Sequence, residues 1–177
     1  AIDGDPEQLR LLRTIAIYGP NASGKSTILR AARALRHLIL RSATFRSDEL
    51  IDFHDPFAGD AAKQKPVRLG LKAVVDAAVY DYEVLFTNNA VVRESLQRQT
   101  GDNSTILMER NDQQVTGEWT RDEQFLLATS KFRPNALLLS LADSLSPKLA
   151  GRIAPSMISL LGFYDGSSQI HRSAFSQ

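Results

Sequence analysis

The residues Gly19-Pro20-Asn21-Ala22-Ser23-Gly24-Lys25-Ser26-Thr27 fit the spacing G-x-x-x-x-G-K-[ST] of a phosphate-binding loop, or P-loop. Each residue type has a physical role there. Gly19 and Gly24 permit backbone angles that a Cβ would oppose, so the loop from Gly19 through Ser23 can turn its amides toward phosphate oxygens. A helix beginning near Lys25 would aim its free N–H groups and its positive dipole end at the same anion. Lys25 is the candidate contact to the β- and γ-phosphates, as a point charge on a flexible stem. The Ser26 hydroxyl is the candidate Mg²⁺ ligand, since that ion takes oxygen donors. Thr27 is placed to support the α-phosphate. ATP with Mg²⁺ is the expected ligand.

Such a loop needs a strand before it and a helix after it. Thr14-Ile15-Ala16-Ile17-Tyr18 is apolar and rich in β-branched residues, and reads as a buried strand. From Lys25 to about Arg41, Ile28, Ala32, Leu35 and Ile39 recur at spacings of four, three and four, one face of a helix. Residues 42–65 are irregular. Val67 to Val75 and Tyr80 to Phe86 alternate with period two, as antiparallel strands with one buried face do. Asn88-Asn89 reads as a turn into a third strand, Ala90 to Arg98, followed by a polar loop from Thr100 to Ser104. Ile106 to Arg110 and Gln114 to Trp119 form a candidate hairpin. After Thr120 the pattern is helical. Phe125, Leu126 and Phe132 are assigned to one helix, and Asn135 is the candidate cap of a second over Ala136 to Ser144. Ser146-Pro147 reads as an N-cap with proline at the first helical position, and Pro155 opens another helix.

Composition bounds the alternatives. The chain has 177 residues, 43% of them hydrophobic and 23% charged, as expected of a folded domain that buries a core. Its net charge of +1 predicts neither nucleic-acid nor membrane binding, so any such surface must be local. The absence of cysteine excludes disulfides, thiolate metal sites and cysteine nucleophiles. His37, His54 and His171 are too few for a histidine-rich zinc site. No run approaches the roughly 20 apolar residues of a membrane helix, and no signal peptide opens the chain, so a cytoplasmic protein without a membrane partner is expected.

Pro-Asn-Ala-Ser before Gly-Lys-Ser-Thr resembles the P-loops of ABC-type and SMC-like ATPases, with Ala22 in place of the commoner glycine. The basic helix, Pro56-Phe57, the strand around Tyr80-Asp81-Tyr82, Arg93-Glu94-Ser95-Leu96 and Met108-Glu109-Arg110 are similar to one branch of that group. This branch is the bacterial and archaeal AAA-domain ATPases related to the OLD and abortive-infection proteins. The resemblance covers about residues 14–165. It implies an ABC-like head that dimerises around ATP, in a homodimer or larger assembly, beside a nuclease or other effector in defence against phages.

Hydrolysis needs a Walker B aspartate on Mg²⁺ and a group that orients the attacking water. ABC-like heads also use a glutamate after that aspartate and a Leu-Ser-Gly segment from the partner. None of these is legible here. Ala73-Val74-Val75-Asp76 ends a half-exposed strand and is followed by Ala77, not glutamate. Leu137 to Asp143 has a helical pattern, and Ile158 to Asp165 is interrupted by Gly162. No catalytic residue is assigned, and His54, Asp55 and Gln64 are given no role. Between Lys25 and Arg46 the charged residues are all basic: Lys25, Arg30, Arg33, Arg36, Arg41 and Arg46. Such a stripe could meet nucleic-acid phosphates. A solvated helix face is preferred, because no aromatic residues interleave.

The expected fold is α/β: a P-loop core over residues 14–65, an antiparallel β-subdomain over 66–119 and a helical segment over 120–177, in one domain that is part of a longer protein. The expected function is that of an ATP-binding head hydrolysing ATP only with elements not visible in this chain. The alternatives are an ATP-sensing scaffold that regulates an effector, and a P-loop small-molecule kinase.

Overall fold

The computed structural model describes residues 16–54 and 65–161. Helix α1 spans Lys25–Arg41 and runs into a 3-10 turn, Ser42–Thr44. A five-stranded antiparallel sheet follows in chain order: β1 Val67–Val75, β2 Ala78–Phe86, β3 Val91–Thr100, β4 Asn103–Asn111 and β5 Gln114–Thr116. A second 3-10 turn, Glu118–Arg121, leads to α2 Glu123–Thr129, α3 Leu138–Leu145, α4 Pro147–Ala150 and α5 Ile153–Leu160.

Alternation along the strands decides the two faces of the sheet. Tyr80, Tyr82, Val84 and Phe86 point inward from β2 and are buried, as are Leu96 of β3 and Met108 of β4. They share one apolar cluster with Leu38 and Ile39 of α1, Leu138 and Leu139 of α3, and Met157 of α5. Each such side chain contributes about 1.5–3 kcal/mol by leaving water. The outer face carries cross-strand ion pairs: Arg68 with Glu83, Lys72 with Asp81 at 2.9 Å, and Arg93 with Glu109 at 2.7 Å. These exposed pairs keep that face soluble and add little stability.

The strands between 67 and 116 lie close to where period two puts them. The polar loop expected over Thr100 to Ser104 shrinks to Gly101-Asp102, because Thr100 pairs with Asn103 and Ser104 with Gln99. The final hairpin stops at Thr116. Gly117 has φ 112°, and a Cβ there would lie 2.6 Å from the Leu107 carbonyl oxygen, so the chain turns tightly against β4. Trp119, expected in a strand, is instead buried in the 3-10 turn, edge-on to Phe125 with ring centroids 5.6 Å apart. Helix α2 ends at Thr129, before Phe132, and is capped by Asp122, whose side chain accepts from the Phe125 amide at 2.9 Å. Pro147 begins α4, and Pro155 sits in the first turn of α5, where its missing N–H costs no helix bond.

Two expectations at the start of the chain are corrected. Thr14 and Ile15 lie outside the described residues. Ala16, Ile17 and Tyr18 form no strand, with Tyr18 92% exposed. Among the described residues no strand lies beside them. An apolar segment is buried as a strand only where neighbouring strands accept its backbone bonds, and the sheet here is an antiparallel meander elsewhere in the fold. The core face of α1 is also shorter than its periodicity suggests. Ala34, Leu35, Leu38 and Ile39 are buried, whereas Ile28 is 53% exposed. The second half of α1 packs on the body, and the first half carries the P-loop away from it.

The turn between β1 and β2 holds a local strain. Asp76 and Ala77 have φ 47° and 61° and link the paired residues Val75 and Ala78. This is the geometry of a two-residue hairpin turn with both central residues left-handed, which glycine favours and alanine does not. Ala77→Gly should stabilise the fold by about 1 kcal/mol. Gly117→Ala should destabilise it by more than about 2 kcal/mol, since a backbone atom blocks the new methyl. Urea midpoints read both, rising for the first variant and falling for the second with an unchanged m-value.

Candidate functional site: the P-loop and the clamp behind it

The P-loop is built at the head of α1. Gly24 is the N-cap, with φ 89°, and Ala22 also has a left-handed φ of 63°. Gly24 offers its carbonyl to Thr27 N at 3.0 Å and Ile28 N at 3.1 Å, which starts the helix. The amides of Gly24, Lys25 and Ser26 donate to no described residue. They are the unpaired donors that a helix N-terminus presents to an anion. The Lys25 ammonium lies within the loop and donates to Gly19 O at 2.7 Å, Pro20 O at 2.6 Å and Ser23 Oγ at 3.2 Å. The loop thus closes around its own cation. Gly19, Pro20, Asn21, Ala22, Ser23, Ser26 and Thr27 are all exposed around it.

This arrangement fits a polyphosphate. It offers free amides, one ammonium and a positive helix end, and the first turn of α1 contains no acid to repel an anion. The Ser26 hydroxyl is an oxygen donor of the kind Mg²⁺ takes. Among the described residues no group of three or more His, Cys, Asp or Glu could hold a metal ion.

The other candidates fall apart on inspection. Asp76 sits in the β1–β2 turn, exposed, with its carboxylate 3.2 Å from the Arg152 guanidinium. Leu138 to Asp143 belong to α3, and Ile158 to Leu160 end α5, while Asp165 lies outside the described residues. His54 Nε2 is 2.9 Å from the Lys65 carbonyl. Asp55, Pro56, Phe57 and Gln64 lie outside the described residues. Arg30, Arg33, Arg36 and Arg41 are exposed on α1, and Arg46 pairs with Asp48 at 3.4 Å. Arg30 and Arg33 both hold interactions within the protein.

Behind α1 lies a buried polar clamp that the sequence did not announce as such. Glu94 of β3 and Arg110 of β4 stand opposite each other in register, both fully buried. Glu94 accepts from the amides of Leu138 at 2.6 Å and Leu139 at 2.9 Å and from the Tyr82 hydroxyl at 2.8 Å. It therefore caps α3 from the sheet, where its charge also complements the helix dipole. Arg110 donates to the carbonyls of Ala136 at 2.7 Å, Pro134 at 3.0 Å and Asp112 at 2.7 Å, and its guanidinium lies 4.4 Å from the Phe132 ring centroid. Asn135, expected to cap a helix from Ala136, instead donates to the carbonyls of Arg46 at 2.7 Å and Glu49 at 2.8 Å. Helix α3 begins only at Leu138, because Glu94 satisfies its first amides there. The Ser42 hydroxyl accepts from Leu137 N at 3.0 Å, and the Ser140 hydroxyl from Ala43 N at 3.1 Å. The exit of α1 is thereby pinned to the start of α3. The available sequence signal was an acid at an inward register position, two residues before the buried Leu96.

Burial pushes the Glu94 carboxyl up, against the pull of the Leu139, Leu138 and Tyr82 donors and the Arg110 charge. Burial also raises Tyr82, helped by the Glu94 charge, and lowers Arg110. A raised carboxyl pKa means that the folded protein holds this proton to higher pH than the unfolded chain. Stability from Glu94 is then greatest below its unfolded pKa and falls as pH rises through the folded value. The stability difference between wild type and Glu94→Gln should therefore narrow as pH rises from about 4 to about 7. Glu94→Ala should cost about 3–5 kcal/mol at neutral pH, because it strands two buried amides and a hydroxyl. Urea unfolding at several pH values checks both.

A family model described as "AAA domain, putative AbiEii toxin, Type IV TA system" matches residues 15–162. No curated protein and no solved structure matches the chain. The match spans the loop at 19–27, the sheet and the helical segment, and the family is one of P-loop, nucleotide-binding α/β domains of ATPase type. The chain belongs to this AAA-domain family.

Proposed function

We propose that the chain is the ATP-binding part of an ABC-like ATPase head from a defence-type system, acting as a homodimer or larger assembly beside a nuclease or other effector. The observation that carries the reading is the P-loop geometry. The Lys25 ammonium takes three loop oxygens within 3.2 Å at the head of a helix whose first amides are unpaired among the described residues. A triphosphate chain would find the Lys25 ammonium and the amides of Gly24, Lys25 and Ser26 on one side of the loop, with the ammonium exchanging its loop oxygens for phosphate oxygens. Ser26 would hold Mg²⁺ through its hydroxyl, and the ion would offset phosphate charge. The exposed apolar side chains beside the loop, Ile17, Ile28 and Leu29, support assembly with further protein surface.

Binding without turnover in this segment is the second reading. It is favoured by the lack of a metal-holding carboxylate cluster among the described residues. On that reading the domain senses ATP and passes its state to an effector.

Calorimetry with ATP and Mg²⁺ tests the main reading. Lys25→Ala should lower affinity at least about tenfold, a loss of roughly 1.4 kcal/mol or more. Its unfolding midpoint should stay unchanged, since Lys25 contacts only the loop. Equal affinity in the variant would end the P-loop assignment. Phosphate release by the 177-residue chain should not exceed that of Lys25→Ala. Lys25-dependent turnover would mean that this chain supplies a catalytic carboxylate.

A further inference from the structure

A cleft of about 480 Å³ opens between β2, β3 and β4, the Glu118–Arg121 turn and helices α4 and α5. No P-loop residue lines it. Its floor is apolar, formed by Leu107, Trp119, Leu149 and Ile153. Its rim carries three cations, Arg98, Arg121 and Lys148.

The two acids at the rim are already engaged. Glu118 lies 3.8 Å from the Arg98 guanidinium, and the Asp122 carboxylate caps α2 through the Phe125 amide at 2.9 Å. Arg121 and Lys148 make no hydrogen bond or ion pair with any described residue. Two cations that bond no described residue therefore flank a cleft of mixed polar and apolar lining from different elements, one before α2 and one in α4. The volume suits a small molecule, since such sites run to roughly 300–1,000 Å³. Among the described residues the lining holds no group of three or more His, Cys, Asp or Glu that could hold a metal ion.

We infer that this cleft is a second ligand site, separate from the P-loop, for a small amphipathic anion. The apolar or aromatic body of the ligand lies against Leu149 beside the edge of Trp119, and its carboxylate or phosphate meets Arg121 and Lys148. Arg121 contributes a planar fork for two anionic oxygens and Lys148 a point charge. The ligand bridges the 3-10 turn to α4, so its binding stabilises the packing of the helical segment on the sheet.

The chain has one tryptophan, and it lies at this cleft. Phenyl phosphate is the probe, with phenol and inorganic phosphate as its two halves, read by Trp119 emission and by calorimetry. Phenyl phosphate should bind saturably and shift the emission, at least about tenfold tighter than either half alone. The double variant Arg121→Gln/Lys148→Gln should weaken it by at least the same factor. Lys25→Ala should leave it unchanged, which separates this site from phosphate capture at the P-loop. No saturable binding, equal binding of phenol, unchanged affinity in the double variant or loss of binding in Lys25→Ala would each overturn the inference.

Discussion

The packing of this domain depends on how the chain from Arg133 to Leu139 is held. That segment is buried from Asn135 onward, so its backbone groups must find partners inside the protein. The sheet supplies them with opposite charges in the appropriate order. Arg110 takes the carbonyls at 134 and 136, and Glu94 takes the amides at 138 and 139. Carbonyls before a helix and amides at its first turn are the groups that a guanidinium and a carboxylate satisfy. The two side chains stand side by side on neighbouring strands but are spent on backbone rather than on each other. Removing either one leaves several buried groups unpaired at once, so the clamp is worth more than any outer-face ion pair.

The same segment reaches the P-loop helix. Arg133 donates to the carbonyls of Ala43 and Phe45, at 3.2 and 2.7 Å, Asn135 holds those of Arg46 and Glu49, and Ser42 receives the Leu137 amide. The C-terminal end of α1 is therefore fixed by polar contacts as well as by Leu38 and Ile39 in the core. Its N-terminal end, where the amides without a partner among the described residues lie, stands clear of the described body. A helix anchored at one end presents its other end at a defined place while leaving the loop itself free to close on a ligand.

Much of this was legible in the sequence. The P-loop follows from residue types at four fixed positions, and the strands follow from period-two alternation with turn residues between them. The clamp was not legible, because Glu94 and Arg110 sit among other charged residues, Arg93 and Glu109, that face solvent. Alternation along each strand turns Glu94 inward with Leu96 and Arg110 inward with Met108, while Arg93 and Glu109 face out. Asn135 misled for a related reason. It has the right type and place for a helix cap, yet Glu94 from another strand takes the cap position first. The short N-terminal apolar run misled because hydrophobicity reports a tendency to be covered and does not say by what.

The proposed function requires that the head of α1 grips nucleotide while the clamped body stays as it is. Hydrogen–deuterium exchange with and without ATP and Mg²⁺ tests this most directly. It predicts slowed exchange at the amides of residues 19–28 and unchanged exchange at Leu138 and Leu139, whose amides are already bonded to Glu94. Unchanged exchange across 19–28 at saturating nucleotide would contradict it.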